Sequence, residues 1–217
     1  LWRVQGTNAV RVPNVATGDQ AALHVGPDQA LWFRNANNFG GRFSRYDGLS
    51  VTHVPGLESG IGSRVTAIHS DPDGVLWLGD MDGGITRFDP ARHTFTRVRT
   101  GESGLFGTVT KITRGPDGAL WIATGNGVYR HERGTMESFT TADGLPQNEI
   151  SLSAASGDGS VWFGTMRAAN FLVRWDPAVT NSWQRRILNA REEGGLWLAV
   201  LGLTADGDAG VHRGGAA

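Results

Sequence analysis

Few residues in this chain have the type and spacing of a chemical site. His24 and His69 stand 45 residues apart, but the next positions in the same phase are Thr113 and Ala154, so the pair reads as strand residues rather than metal ligands. Asp80-Met81-Asp82-Gly83 and Asp206-Gly207-Asp208 have the look of calcium-loop fragments. Both lack the five-position spacing and the closing bidentate glutamate, and Asp-Gly turns account for them better. There is no Gly-x-Ser-x-Gly elbow, no His-Glu-x-x-His and no phosphate loop. The chain has no cysteine, which removes disulfides and thiol chemistry, and Lys111 is its single lysine, which removes Schiff-base chemistry elsewhere. The residues therefore point to no catalytic group, no metal ligand and no cofactor. Ligand contacts are expected instead from polar residues presented on loops.

The elements behind those loops repeat. Arginine closes a strand-like phrase at Arg3, Arg45, Arg87, Arg130, Arg174 and Arg213, at intervals of 42, 42, 43, 44 and 39 residues. Tryptophan keeps the same phase at Trp32, Trp77, Trp121, Trp162 and Trp197. Repeats of 40 to 50 residues are the mark of propeller blades. The turns Asp73-Gly74, Asp117-Gly118 and Asp158-Gly159 precede three of the tryptophans, with Gln29 and Glu193-Gly194 as weaker versions. Between Val65 and Arg99 one unit resolves into four antiparallel strands, the second apolar on both faces and so covered on both sides. No stretch has helical periodicity, and 32 glycines disfavour helix interiors.

The expected fold is thus all-β, a β-propeller with four-stranded antiparallel blades and about five blades' worth of repeat, forming a partial propeller. We expect residues 1–217 to be a single propeller fragment: a partial blade at 1–13, blades at about 19–54, 62–99, 106–140 and 147–186, and a degenerate or partial blade at 187–217. In this scheme the chain opens and closes in mid-blade, as a piece of a longer protein would, and its open edges favour self-association or pairing with neighbouring blades of the parent protein. The tryptophans are expected between blades, and the arginines as cross-strand pairs.

Composition narrows the partners. Twenty basic against 21 acidic residues give a net charge of −1, and without a basic stripe nucleic acid is not an expected partner. No apolar run reaches the roughly 18 residues of a membrane span.

Asp143-Gly144-Leu145-Pro146-Gln147-Asn148-Glu149-Ile150, followed by Asp158-Gly159-Ser160-Val161-Trp162-Phe163-Gly164-Thr165, resembles the repeat of the two-component regulator propellers. There a Gly-Leu-Pro-x-Asn loop leads to an Asp-Gly-x-Leu-Trp-Ile-Gly-Thr strand and a Gly-Gly-Leu-x-Arg strand. Leu76 to Asp80 with Gly83 to Arg87 repeats the grammar. The resemblance implies the periplasmic or extracytoplasmic sensor region of a bacterial receptor, non-catalytic itself, in a parent protein that carries a histidine kinase or diguanylate cyclase. It also implies a small-molecule or oligosaccharide ligand. Ile112 to Trp121 and Gly26 to Phe33 resemble instead the repeats of the streptogramin lyases, metal-dependent propeller enzymes, and a protein-binding scaffold is a third reading.

In a four-stranded blade the loop leading into the first strand and the loop between the second and third strands emerge on one face. That face collects Ser63, Arg64, Thr108, Asn148 and Glu149 from the first kind of loop, and Asp80, Asp82, Asn126 and Arg167 from the second. Arg64, Asp80, Thr108, Asn126, Asn148 and Glu149 are the expected ligand contacts, since identities that vary on a repeated frame suit a binding face.

Overall fold

A computed structural model describes residues 2–5, 8–12, 20–35, 42–55, 65–98, 107–164, 171–175 and 183–187. Their regular structure is almost wholly strand, and the chain gathers into two compact units, Leu1–Val109 and Thr110–Ala217.

The first unit holds a two-stranded hairpin, β1 (Trp2–Gln5) with β2 (Asn8–Arg11), and two four-stranded antiparallel sheets. One runs in chain order through β3 (Gln20–Val25), β4 (Leu31–Asn35), β5 (Arg42–Tyr46) and β6 (Val51–His53). The other runs through β7 (Val65–Ser70), β8 (Leu76–Asp80), β9 (Ile85–Asp89) and β10 (Thr94–Arg97). In the second unit the same order recurs twice. β11 (Val109–Arg114), β12 (Leu120–Thr124), β13 (Gly127–Glu132) and β14 (Thr135–Phe139) make one sheet; β15 (Leu152–Ala155), β16 (Val161–Gly164), β17 (Phe171–Trp175) and β18 (Trp183–Ile187) make the other. β11 begins on the last residue of the first unit. These four-stranded antiparallel blades are those of a β-propeller, as the repeat period implies. The expected partial unit at 187–217, with Trp197 and Arg213, lies outside the described residues apart from Ile187.

Doubly apolar second strands sit where burial on both faces demands. All five residues of β8 and all five of β12 are buried, whereas β10 and β14 are largely exposed outer strands. In the first unit Trp32, Phe43, Ile68, Leu76 and Phe88 join one core between its two blades. In the second, Trp121, Ile150, Val161, Phe163 and Val173 do the same. Trp32, Trp77, Trp121 and Trp162 are all buried, in agreement with the packing role expected of them.

A tryptophan paired with an arginine across the second and third strands marks all four four-stranded blades, and in three of them a turn aspartate completes a bracket of three residues. Trp32 pairs with Arg45 across β4 and β5, Trp77 with Arg87, Trp121 with Arg130 and Trp162 with Arg174. The Arg45, Arg130 and Arg174 guanidinium carbons lie 5.8, 5.8 and 6.0 Å from the centroids of their tryptophans. Each arginine also reaches the turn aspartate before its tryptophan: Asp28 at 2.7 Å, Asp117 at 2.9 Å and Asp158 at 2.8 Å. The other oxygen of that carboxylate accepts a backbone N–H of its own turn, from Ala30, Ala119 or Ser160. The second complete blade departs from the pattern: Asp71, not the turn residue Asp73, holds its tryptophan, accepting from the Trp77 indole at 2.9 Å.

These turns need a left-handed residue, with φ at 87° for Gly74, 83° for Gly118 and 93° for Gly159. The first blade places Gln29 there, at φ 62°. A side chain in this region costs roughly 1–2 kcal/mol, so Gln29→Gly is expected to raise stability by about 1 kcal/mol, less the entropy that glycine adds to the unfolded chain. A denaturant melt measures it, and an unchanged or lowered midpoint refutes the account.

Asp158 carries the clearest electrostatic signature in the bracket. The Ser160 hydroxyl and backbone N–H lower its pKa from 3.8 to about 2, with Arg174 assisting. Since the folded pKa is depressed, the stabilisation is present above pH 3.8 and is lost as pH falls through about 2. Asp158→Asn is expected to flatten the acid limb of the stability curve over that window and to leave its shape near neutrality unchanged. A pH series of urea melts checks it.

Candidate functional site

The expected face is built from turns at the ends of second strands and from segments that lead into first strands. Asp80 ends β8, and its carboxylate is buried. One oxygen accepts from the Asp82 and Gly84 N–H groups at 2.9 and 2.6 Å, and the other lies 3.8 Å from Arg97 Nη1. A Cβ on Gly84 would run into that second oxygen and into Arg97 Nη2, so a larger residue there would have to displace the Asp80 carboxylate and the Arg97 guanidinium. Asp80 thus holds the turn that displays Met81 and Asp82, both exposed. Thr108, half-buried just before β11, donates its hydroxyl to the Met81 carbonyl at 3.1 Å.

The second unit brings the same two kinds of segment together. Asn126 is exposed in the turn between β12 and β13, where its N–H donates to Thr124 Oγ1 at 3.0 Å. The next N–H, of Gly127, donates to the Asn148 carbonyl at 2.6 Å, and Ile150 N–H donates to the Thr124 carbonyl at 3.0 Å. Asn148 Oδ1 accepts from Thr141 N–H at 2.7 Å and so ties its loop to a short 3-10 turn, Thr141–Asp143. That turn is closed by Thr140 and Asp143 in a reciprocal capping box, then by Gly144 in the left-handed region at φ 100°. Leu145 and Ile150 anchor the loop in the core. Glu149 remains exposed beside them.

The six expected contacts therefore differ in position. Asp80 and Asn148 are engaged in holding their own loops, Thr108 ties two segments together, and Asn126 and Glu149 present side chains to solvent. Arg64, with Ser63 and Arg167, lies outside the described residues. What these turns offer chemically is the exposed Asp82 carboxylate in the first unit, and the exposed Asn126 amide and Glu149 carboxylate in the second.

The two histidines do meet. His24 and His69 have ring centroids 5.9 Å apart, and His24 Nε2 lies 2.7 Å from Ser70 Oγ. Among the described residues no group of three or more metal-binding side chains forms. The sequence reading missed a second polar cluster, where Arg45, His53 and His93 line a cleft beside Trp32. The signal available for it was weak: Thr52 stands opposite Arg45 where Glu137 stands opposite Arg130.

Residues 59–82 match the family described as the two component regulator propeller, so the chain carries a repeat of that family, as its resemblance implied. No curated protein matches. Among solved structures, the chain is similar to the extracellular domain of a proposed hybrid two-component system from B. thetaiotaomicron, at 18% identity and a TM-score of 0.65, over 88% of this chain and 25% of that one. Another such domain from the same organism matches at 16% identity and a TM-score of 0.55, over 85% of this chain and 31% of that one. The chain thus spans only a quarter to a third of those domains. A catalytically inactive virginiamycin B lyase from Staphylococcus aureus with quinupristin matches at 18% identity and a TM-score of 0.50, over 85% of this chain and 74% of that one. At such identities these likenesses establish the propeller fold alone. No helix among the described residues is long and apolar enough to cross a membrane.

Asp80→Ala is expected to cost about 1–3 kcal/mol, the usual penalty for stranding buried donors, while Glu149→Gln is expected to stay within about 0.5 kcal/mol, as exposed changes do. Paired thermal melts decide between framework and face; equal effects would remove the distinction.

Proposed function

We propose that this chain is the ligand-sensing propeller region of a two-component-type signalling receptor, exposed on the periplasmic or extracytoplasmic side and not catalytic by itself. The observation that carries the reading is the two component regulator propeller repeat at residues 59–82, on a frame whose loops differ from blade to blade. The likeness to extracellular domains of two-component systems supports it. Residues 1–217 are then one run of propeller repeat, and the output module, a histidine kinase or diguanylate cyclase, belongs to the parent protein. A small molecule or oligosaccharide binds the loop face, contacting Asn126, Glu149 and Arg64 directly, while Asp80, Thr108 and Asn148 hold the loops that present them.

The test is a dose-response measurement in the full-length receptor. Asn126→Ala and Glu149→Gln are expected to shift or abolish the response while the isolated region melts within about 0.5 kcal/mol of the parent. Unaltered curves for both would move the site off this face. Turnover of a streptogramin by the purified chain with added divalent metal would favour the lyase resemblance instead.

A further inference from the structure

Within the first unit a cleft of about 220 Å³ opens between the outer strands β5 and β6 and the turn that joins β9 to β10. Trp32, Phe88, Pro55 and Pro90 give it an apolar wall. Its polar groups are Arg45, Thr52, His53 and His93, and neither a carboxylate nor a carboxamide side chain lines it among the described residues. Pro90 and His93 lie at the far end of β9 from the Asp80 turn, and nothing below rests on the sensor reading.

The second unit shows what the same frame looks like when this space is taken up. Trp121 and Arg130 occupy the places of Trp32 and Arg45 in the repeat, and Trp175 on β17 occupies that of Phe88 on β9. There the rings of Trp121 and Trp175 are 4.6 Å apart, with Arg130 5.8 Å from both centroids. Arg130 is held by three carboxylates, Asp117, Glu132 and Glu137.

Around Arg45 the turn aspartate and the tryptophan keep their places, but the second ring is farther off and the other two carboxylates are missing. Phe88 is smaller than tryptophan and lies 6.1 Å from Trp32. The position of Glu137 is held by Thr52, directly opposite Arg45. Asp47, two residues beyond Arg45 as Glu132 is beyond Arg130, turns its carboxylate back onto Leu49 and Ser50. Asp28 alone binds the guanidinium, through Nε and Nη2, so Nη1 has no acceptor among the described residues. His53 uses Nδ1 on Ser44 Oγ, and its Nε2 has no hydrogen-bond partner among the described residues.

From this geometry we infer that the cleft binds a small aromatic carboxylate. Its ring lies along Trp32, Phe88 and the two prolines, and its carboxylate takes the place that Glu137 fills beside Arg130, accepting from Arg45 Nη1 with the Thr52 hydroxyl and the histidine N–H groups within the same cleft. The volume is below the roughly 300 Å³ at which drug-sized sites begin, so the occupant has one ring. A sugar fits less well, because for its several hydroxyls the lining supplies as acceptors only the Thr52 hydroxyl and imidazole nitrogens, and no carboxylate or carboxamide.

Isothermal titration of the purified chain with benzoate tests the assignment. Saturable one-site binding is expected, weakened about ten- to hundredfold by Arg45→Gln, as loss of a charged hydrogen bond implies. Should Arg45→Gln fail to fold, Thr52→Glu decides, since it rebuilds the arrangement around Arg130: the chain is expected to fold, with benzoate binding lost to the same degree. Benzyl alcohol and glucuronate are each expected to bind at least tenfold more weakly than benzoate. Absent benzoate binding, undiminished binding by folded Thr52→Glu, or equal affinity for either comparison compound would overturn the proposal.

Discussion

The frame depends on one carboxylate doing two things at once. In three blades the aspartate of the first hairpin uses one oxygen to hold its own turn and the other to hold an arginine two strands away in the chain, with the tryptophan beneath. Taken singly, each part is weak. A partly exposed ion pair contributes at most about 1 kcal/mol, and a cation over an aromatic face about as much. Their value lies in coupling: the turn cannot change type without releasing the arginine, and the arginine cannot leave without uncovering the ring. Register between the second and third strands is thereby set at one point per blade, which matters because a one-residue slip would turn each apolar face outward.

The blade from β7 to β10 shows how much of that bracket can be altered while the register is kept. Asp71 replaces the glycine or serine found at the other turns and takes the indole N–H of Trp77 directly. Trp77 still pairs with Arg87, and the hairpin still turns at Gly74 with Asp73 accepting from Val75. What persists across the blades is thus the tryptophan, its cross-strand arginine and the left-handed turn residue. This blade is also the one that carries the family's repeat match.

Much of this was legible in the sequence because the markers are large, periodic and chemically distinct. Tryptophan and arginine at a shared period can only be in register if the strands between them have fixed lengths, and Asp-Gly marks where those strands turn. Loop chemistry was harder to read. Asp80 looks like an exposed acid in a turn, yet its burial follows from Gly84, whose missing Cβ lets the carboxylate fold back under the loop. Asn148 looks like a ligand-facing amide, but the capped 3-10 turn before it needs an acceptor at Thr141. In both cases a polar side chain served the backbone of its own loop, and only three-dimensional closure of the loop reveals which of its neighbours is left for solvent.

The same frame also leaves freedom in how the space between blades is filled. Once turn, arginine and tryptophan are locked, the residue after the next blade's arginine can be tryptophan, as at Trp175, or phenylalanine, as at Phe88, and the residue opposite the arginine can be Glu137 or Thr52. The first combination wraps the guanidinium in acid and aromatic groups; the second leaves one of its edges open over an apolar wall. Neither choice alters strand pairing, because both substituted positions lie beyond the Asp-Arg-Trp bracket. A repeat protein can therefore change the cleft of one blade pair through two side chains and the connection after the third strand, which is Asp47–Ser50 in one blade and Arg133–Gly134 in the other, while the bracket itself is kept.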